Sequence, residues 1–202
     1  MAKPLNIGVL AIQGDFEAHQ KMLASLGAAA SEVRIPADLN GLDGLVIPGG
    51  ESTTISMGMA RDGLDEAIRS RHEAGLPILG SCAGMIVCDR EHLGLAHYIC
   101  RRNAFGRQLQ SFEEDLVIEG LGDEPLRAVF IRAPWVEELG SQVEVLAEVR
   151  GHPVAVRDGN VLAVAFHTEL TDDSRLHAAF MAMCTSAREA TEAESGDRRA
   201  HR

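Results

Sequence analysis

The segment Gly80-Ser81-Cys82-Ala83-Gly84 sets a cysteine between small residues, after the apolar run at 76–79 and before Met85-Ile86-Val87. That order reads as strand, sharp turn and helix, with the thiol at the apex. It is the cysteine form of the nucleophile elbow, whose small flanking residues permit a strained turn that exposes the nucleophile. Free N–H groups and the helix dipole at such a position favour a thiolate over a thiol. A cysteine nucleophile also needs a base to take up and return protons. Among eight histidines His167 stands out, because it ends the apolar run at 161–166 and is followed two residues later by Glu169. In an extended segment residues i and i+2 point the same way, so the carboxylate can accept from the imidazole and fix its tautomer. His19 on a helix, and His72, His92, His97, His152, His177 and His201 in surface or loop settings, have no such context. A third strand end, Pro48-Gly49-Gly50-Glu51-Ser52, carries adjacent glycines that let backbone N–H groups approach a ligand. Read without function, the same stretch is a turn with Ser52 capping the next helix. Thiol, imidazole and diglycine together supply a nucleophile, a base and oxyanion donors for acyl transfer.

For three such strand ends to meet, the chain must form a parallel sheet. Residues 6–12 read as a buried strand, and residues 15–26 as a helix presenting Phe16, His19, Leu23 and Leu26 before a stop at Gly27. Short strands follow at 31–35 and 44–47, then one helix from Thr53 to Gly75, then the strand at 77–80 that enters the elbow. Repeated β-α-β units of this kind predict an α/β fold: an open, mostly parallel sheet with helices on both faces, gathering ligands at its C-terminal edge. The second half adds a strand-rich portion, at 97–101, 116–119, 126–131, 143–149, 154–157 and 161–166, with Asp158-Gly159 as a hairpin turn. A last helix runs from Ser174 to about Ala187. The charged, small-residue-rich stretch 189–202 is expected to be disordered, leaving 1–188 as a single domain.

The 202 residues suffice for one well-buried domain, 46% are hydrophobic, and no run is long enough to cross a membrane. The first residues show no signal-peptide pattern, which implies a cytoplasmic location. A net charge of −11, with only short basic spots at Arg101-Arg102 and Arg198-Arg199, argues against a nucleic-acid partner. Cys88, Cys100 and Cys184 lie in apolar surroundings and read as buried thiols; with no Cys-x-x-Cys pair, no metal is expected.

The diglycine strand end, the elbow, and Phe166-His167-Thr168-Glu169-Leu170 resemble a class I, triad-type glutamine amidotransferase with a flavodoxin-like sheet. Several segments narrow the resemblance to the glutaminase subunit of pyridoxal 5'-phosphate synthase. They are Gly8-Val9-Leu10-Ala11-Ile12-Gln13-Gly14, Pro48-Gly49-Gly50-Glu51-Ser52-Thr53-Thr54, Arg102-Asn103-Ala104-Phe105-Gly106-Arg107-Gln108 and Val129-Phe130-Ile131-Arg132-Ala133-Pro134. The likeness extends from Ile7 to the final helix. It implies that Cys82 attacks the side-chain amide of L-glutamine, that His167 shuttles protons and that Glu169 orients His167. It further implies that the N–H groups of Gly50 and Ala83 form the oxyanion hole and that Gly50, Glu51, Ser52, Arg102, Ile131 and Arg132 bind glutamine. Either arginine could meet the substrate carboxylate. No cofactor is implied. The implied partner is a TIM-barrel synthase subunit in a hetero-oligomer, which uses the ammonia; the glutaminase is then poorly active until docked, with the region of Gln13 near the contact. Thr168 replaces the proline usual in that family, and the stretch 87–94 is shorter than its counterpart, which bears on the placement of the elbow helix. A glutaminase for another synthase, a redox-sensing protein on the same scaffold, and an inactive docking relative are the competing readings.

Overall fold

The computed structural model describes residues 3–106 and 111–200. A seven-stranded sheet forms its centre. β1 (Asn6–Leu10) lies between β2 (Ala29–Val33) and β3 (Gly44–Ile47), and β3 is followed by β4 (Ile78–Ser81) and β11 (Val161–Val164), all five parallel. Two antiparallel strands, β10 (His152–Asp158) and β9 (Glu144–Val149), complete the far edge. β3, β4 and β11 are buried along their whole length, as is β1 from its second residue. Since successive side chains point to opposite faces, both faces of the sheet are covered.

The handedness of the crossovers assigns the layers. β1 leads through α1 (Phe16–Ser25) to β2 in one direction, whereas β3 leads through α2 (Ser52–Arg61) and α3 (Leu64–Glu73) to β4 in the other. Right-handed connections therefore place these helices on opposite faces and create a switch point between β1 and β3, where open α/β sheets bind ligands. The single helix expected over 53–75 is two helices, because Asp62 and Gly63 break it; Gly63 sits at φ 71°, in the left-handed region. α4 (Ala83–Cys88) follows the elbow, and α5 (Arg175–Ala200) closes the chain.

α5 corrects the expected disorder over residues 189–200, since it continues helical to Ala200; residues 201–202 of that stretch lie outside the described residues. Alanine, glutamate and arginine are strong helix formers, so a charged stretch extends a helix that packing has already nucleated. Charge-rich composition says that a segment cannot bury itself, not that its backbone is irregular.

Two antiparallel ribbons stand beside the sheet: β5 (Tyr98–Arg101) with β8 (Trp135–Leu139), and β6 (Ser111–Leu116) with β7 (Leu126–Ile131). The strand expected at 116–119 lies upstream as β6, and β8 is an element the sequence did not announce. Both are mostly charged or exposed ribbon strands without a continuous apolar run. The ribbons collect the few aromatics: Phe112 stacks on Phe130 with ring centres 4.5 Å apart, Phe105 meets Phe112 and Trp135 edge-on, and Phe130 abuts Phe166 at 5.5 Å. This cluster fastens the ribbons to the residue before His167.

The short stretch 87–94 closes on itself. The buried carboxylate of Asp89 accepts from the backbone N–H groups of Glu91, His92 and Cys100 at 2.9–3.1 Å, and contacts His92 Nδ1 at 2.7 Å. α4 therefore ends in a compact turn, and the elbow keeps its place at the end of β4.

Candidate active site

Cys82 sits at φ 51°, ψ −104°, a conformation that costs a non-glycine residue strain and persists only where neighbours enforce it. The enforcement is steric. A Cβ at position 84 would lie 1.9 Å from the carbonyl oxygen of Ile47, and one at position 80 would lie 2.8 Å from the backbone of Gly84. Glycine on each side lets α4 start directly above β3 and β4, and Cys82 at the apex stays buried, its Sγ 3.9 Å from the Ile131 carbonyl oxygen.

The imidazole arrives from β11 by way of Phe166. The backbone N–H of His167 donates to the Val129 carbonyl at 2.9 Å, an isolated bridge that ties it to β7. Its Nδ1 lies 2.6 Å from Glu169 Oε1. The pairing expected from extended geometry is made, but differently: Glu169 belongs to a single 3-10 turn, Thr168–Leu170, that begins at His167. The glutamate side chain is buried, and its second oxygen accepts from Ser81 Oγ at 3.3 Å.

Diglycine, imidazole and cysteine converge at one place. A Cβ at position 49 would come within 2.6 Å of His167 Cε1 and 3.4 Å of Cys82 Cβ, so only glycine fits there. Gly50 and Ala83 direct their N–H groups to no acceptor among the described residues. For Ala83 that follows from its place in the first turn of α4, where N–H groups have no intrahelical partner. Burial disfavours a charged His167, but hydrogen bonds and charge from Cys82 and Glu169 outweigh it and raise the imidazole to about 10. Burial likewise opposes ionisation of Glu169, yet the hydrogen bond to His167 and the imidazole of His19 hold its carboxyl well below the usual range. The arrangement supports an imidazolium poised between a sulfur and a carboxylate.

A cavity of about 560 Å³ opens over these groups, lined by Gly50, Glu51, Ser52, Cys82, Ala83, Arg102, Ile131, Arg132 and His167, with Gln13, Ile86, Asn103 and Pro134. All the expected site residues except Glu169 reach it, and Glu169 lies behind His167. A larger cavity of about 720 Å³ runs beside α5, but it offers mainly alanine, glycine and small polar side chains. Chemistry rather than size marks the site. Glu51, not Ser52, caps α2: its carboxylate accepts from the N–H groups of Thr53 and Thr54 at 3.0 and 2.8 Å, which lowers it to about 2. Arg102 is engaged with that carboxylate at 2.7 Å. Arg132, at φ 46°, makes no ion pair among the described residues. The Ser52 hydroxyl is buried and has no partner among them. Arg107 and Gln108 of the Arg102–Gln108 motif lie outside the described residues.

Sequence reasoning passed over Gln13, Ser81, His19 and His177 as parts of the site. Gln13 Oε1 accepts from the Glu51 N–H at 3.0 Å and so tethers the diglycine strand end. His19 and His177 are fully buried, His177 in place of the surface or loop setting expected for it, and both lie behind Glu169. For His19 a signal was present: it falls four residues before Leu23 on the buried stripe of α1.

The sheet order, the switch-point edge and a cysteine elbow facing a His-Glu pair define a class I glutamine amidotransferase. The chain belongs to the SNO glutamine amidotransferase family, which it matches over residues 9–186. It is 52% identical over 186 residues to the pyridoxal 5'-phosphate synthase subunit PdxT of Streptomyces avermitilis, covering 88% of this chain and 92% of that one. The PdxT of a Roseiflexus species is 49% identical over 189 residues, covering 89% and 100%. A crystal structure of a glutamine amidotransferase superposes with a TM-score of 0.85 at 47% identity, covering 89% of this chain and 98% of its own. PurLQS from Thermotoga maritima, at 17% identity and a TM-score of 0.72 over 89% of this chain and 98% of its own, shares the fold. Among the described residues no helix is long and apolar enough to cross a membrane.

Proposed function

We propose that this chain hydrolyses L-glutamine to L-glutamate and ammonia through a thioester on Cys82, and delivers the ammonia to a pyridoxal 5'-phosphate synthase subunit. The observation that carries the reading is that Cys82 and His167 line one cavity and stand so close to Gly49 that a side chain there would meet both, backed by the 2.6 Å contact of His167 with Glu169. The Cys82 sulfur attacks the amide carbon, and the carbonyl oxygen takes the charge and meets the N–H groups of Gly50 and Ala83. The C–N bond breaks as the His167 imidazolium gives its proton to the nitrogen, which leaves as ammonia. His167, now neutral, removes a proton from water; the hydroxide attacks the thioester and the thiolate departs. Glu169 holds the ring and its charge throughout.

The unpartnered Ser52 hydroxyl suits the amino-acid end of the substrate. Arg132 suits its carboxylate better than Arg102, which is already paired with Glu51. Gly50, Glu51 and Ile131 complete the binding surface. Residues 1–188 serve as one glutaminase domain, acting in the cytoplasm. Ammonia released into water becomes mostly ammonium, which is not nucleophilic, so the product calls for direct transfer into a docked partner. Similarity to subunits of pyridoxal 5'-phosphate synthase supports another subunit of that enzyme as the partner, which we take to be a TIM-barrel synthase in a hetero-oligomer. Glutamate release by the chain alone and with a cognate synthase, for the parent and for Cys82→Ala, tests the reading. Partner-dependent turnover that vanishes in Cys82→Ala is expected; turnover that survives the substitution overturns it.

A further inference from the structure

Behind the candidate site lies a polar chain that the reaction as written does not use. Glu169 Oε1 serves His167, while Oε2 lies 3.3 Å from His19 Nε2 as well as from the Ser81 hydroxyl. His19 Nδ1 in turn lies 2.9 Å from His177 Nε2, which joins the middle of α1 to the first turns of α5. Both histidines are wholly buried, and His177 Nδ1 meets no partner among the described residues; His19 Nε2 makes no formed hydrogen bond there either, its 3.3 Å approach to Glu169 being an ion-pair contact.

With both rings neutral, two buried imidazoles in contact share one proton along the line between them, and of the two such arrangements one suits the surroundings. If His19 donated from Nδ1, its bare Nε2 lone pair would face the Glu169 carboxylate, and the His177 proton would sit on Nδ1 with nothing to accept it. If His177 donates from Nε2, the His19 proton sits on Nε2, facing the carboxylate, and the only group left over is an unprotonated ring nitrogen. The second arrangement replaces a repulsion with an attraction. Burial keeps His177 neutral, holding it down to about 3, in keeping with a single N–H on that ring.

We infer that His19, with its tautomer locked by His177, is a positioning residue for Glu169. It presents an N–H to the outer carboxylate oxygen and so fixes the plane in which the inner oxygen meets His167. The inference rests on the glutaminase reading for its catalytic consequence, though not for its geometry. α1 begins just past Gln13 and Gly14, and a Cβ on Gly14 would come within 1.7 Å of the Gly49 carbonyl oxygen. One helix therefore braces the diglycine at its start and the carboxylate at its middle.

Two readouts test this. Imidazole 15N NMR of the folded chain, which needs no turnover, should show both His19 and His177 as Nε2–H tautomers; an Nδ1–H form of either overturns the assignment. In glutamate release with a cognate synthase, His19→Gln should stay within about threefold of the parent, because its amide nitrogen reaches the position of Nε2. His19→Asn, whose amide reaches only the position of Nδ1, should lose about tenfold or more in kcat with KM little changed. Equal kcat for the two variants, whether high or low, overturns the positioning role. A parent that does not hydrolyse glutamine while NMR shows the expected tautomers would sink the function and leave the imidazole chain standing.

Discussion

The two halves of the candidate site are held by different means. The thiol side is fixed by backbone sterics: Cys82 occupies a strained turn because glycines at 80 and 84 let α4 pack onto strands that are hydrogen-bonded on both sides. The imidazole side is fixed by side chains. His167 leaves the sheet, bridges to a ribbon, and depends on Glu169, Ser81 and an aromatic cluster drawn from distant parts of the chain. A backbone wedge has few ways to relax, whereas a polar and aromatic support can lose one member and keep some of its geometry. The nucleophile should therefore tolerate change abruptly or not at all, and the base by degrees.

Gly84→Ala should produce the largest effect, since the added methyl collides with a carbonyl of the central sheet rather than a movable side chain. Glutaminase activity should fall about a hundredfold or more, as expected for displaced reacting groups, with a lower melting temperature. Parent-like activity in that variant would remove the contrast between the two halves. Glu169→Gln comes next. It keeps the shape but removes the charge that steadies the imidazolium, so kcat should fall about tenfold to a hundredfold with little change in KM, measured by glutamate release. Phe130→Ala opens a hole behind His167 and should cost about 3 kcal/mol in urea unfolding, yet lower the activity of the folded protein only a few-fold.

The smallest effect concerns pH. The folded-state value of His177 is depressed to about 3 from an ordinary 6.5, chiefly by burial and then by the neighbouring His19. Between those values the unfolded chain binds a proton that the native state does not, so this group withdraws stability as pH falls from 6.5 toward 3. His177→Gln keeps a donor for His19 but cannot titrate. Urea midpoints taken across that window should decline less steeply for the variant than for the parent, and parallel curves would show that His177 does not contribute.

The parallel half of the fold was legible because its signals are local: aliphatic runs bounded by glycine and proline, with helical spacing between them. The helix break at Gly63 was a weaker signal, since a single glycine inside a helical pattern can be tolerated. β6 was misplaced and β8 escaped notice because their strands carry charge on one face and rely on partners far along the chain for the other. Glu169 was found through its spacing from His167, although a turn rather than a strand brings the two together.

By itself the sequence determined the reactive groups and the edge on which they gather: a cysteine between glycines, a His-x-Glu at a strand end, a diglycine after another. Those are local facts, set by turn sterics and by the period of the elements. Tertiary structure alone decided that His19 and His177, which look like ordinary helix residues, stand in line behind the carboxylate, that Arg102 is taken up by Glu51, and that an aromatic ribbon supports the base. Contacts of that kind join residues as many as 158 positions apart, and no local pattern encodes a hydrogen bond whose two partners meet only when separate helices pack together.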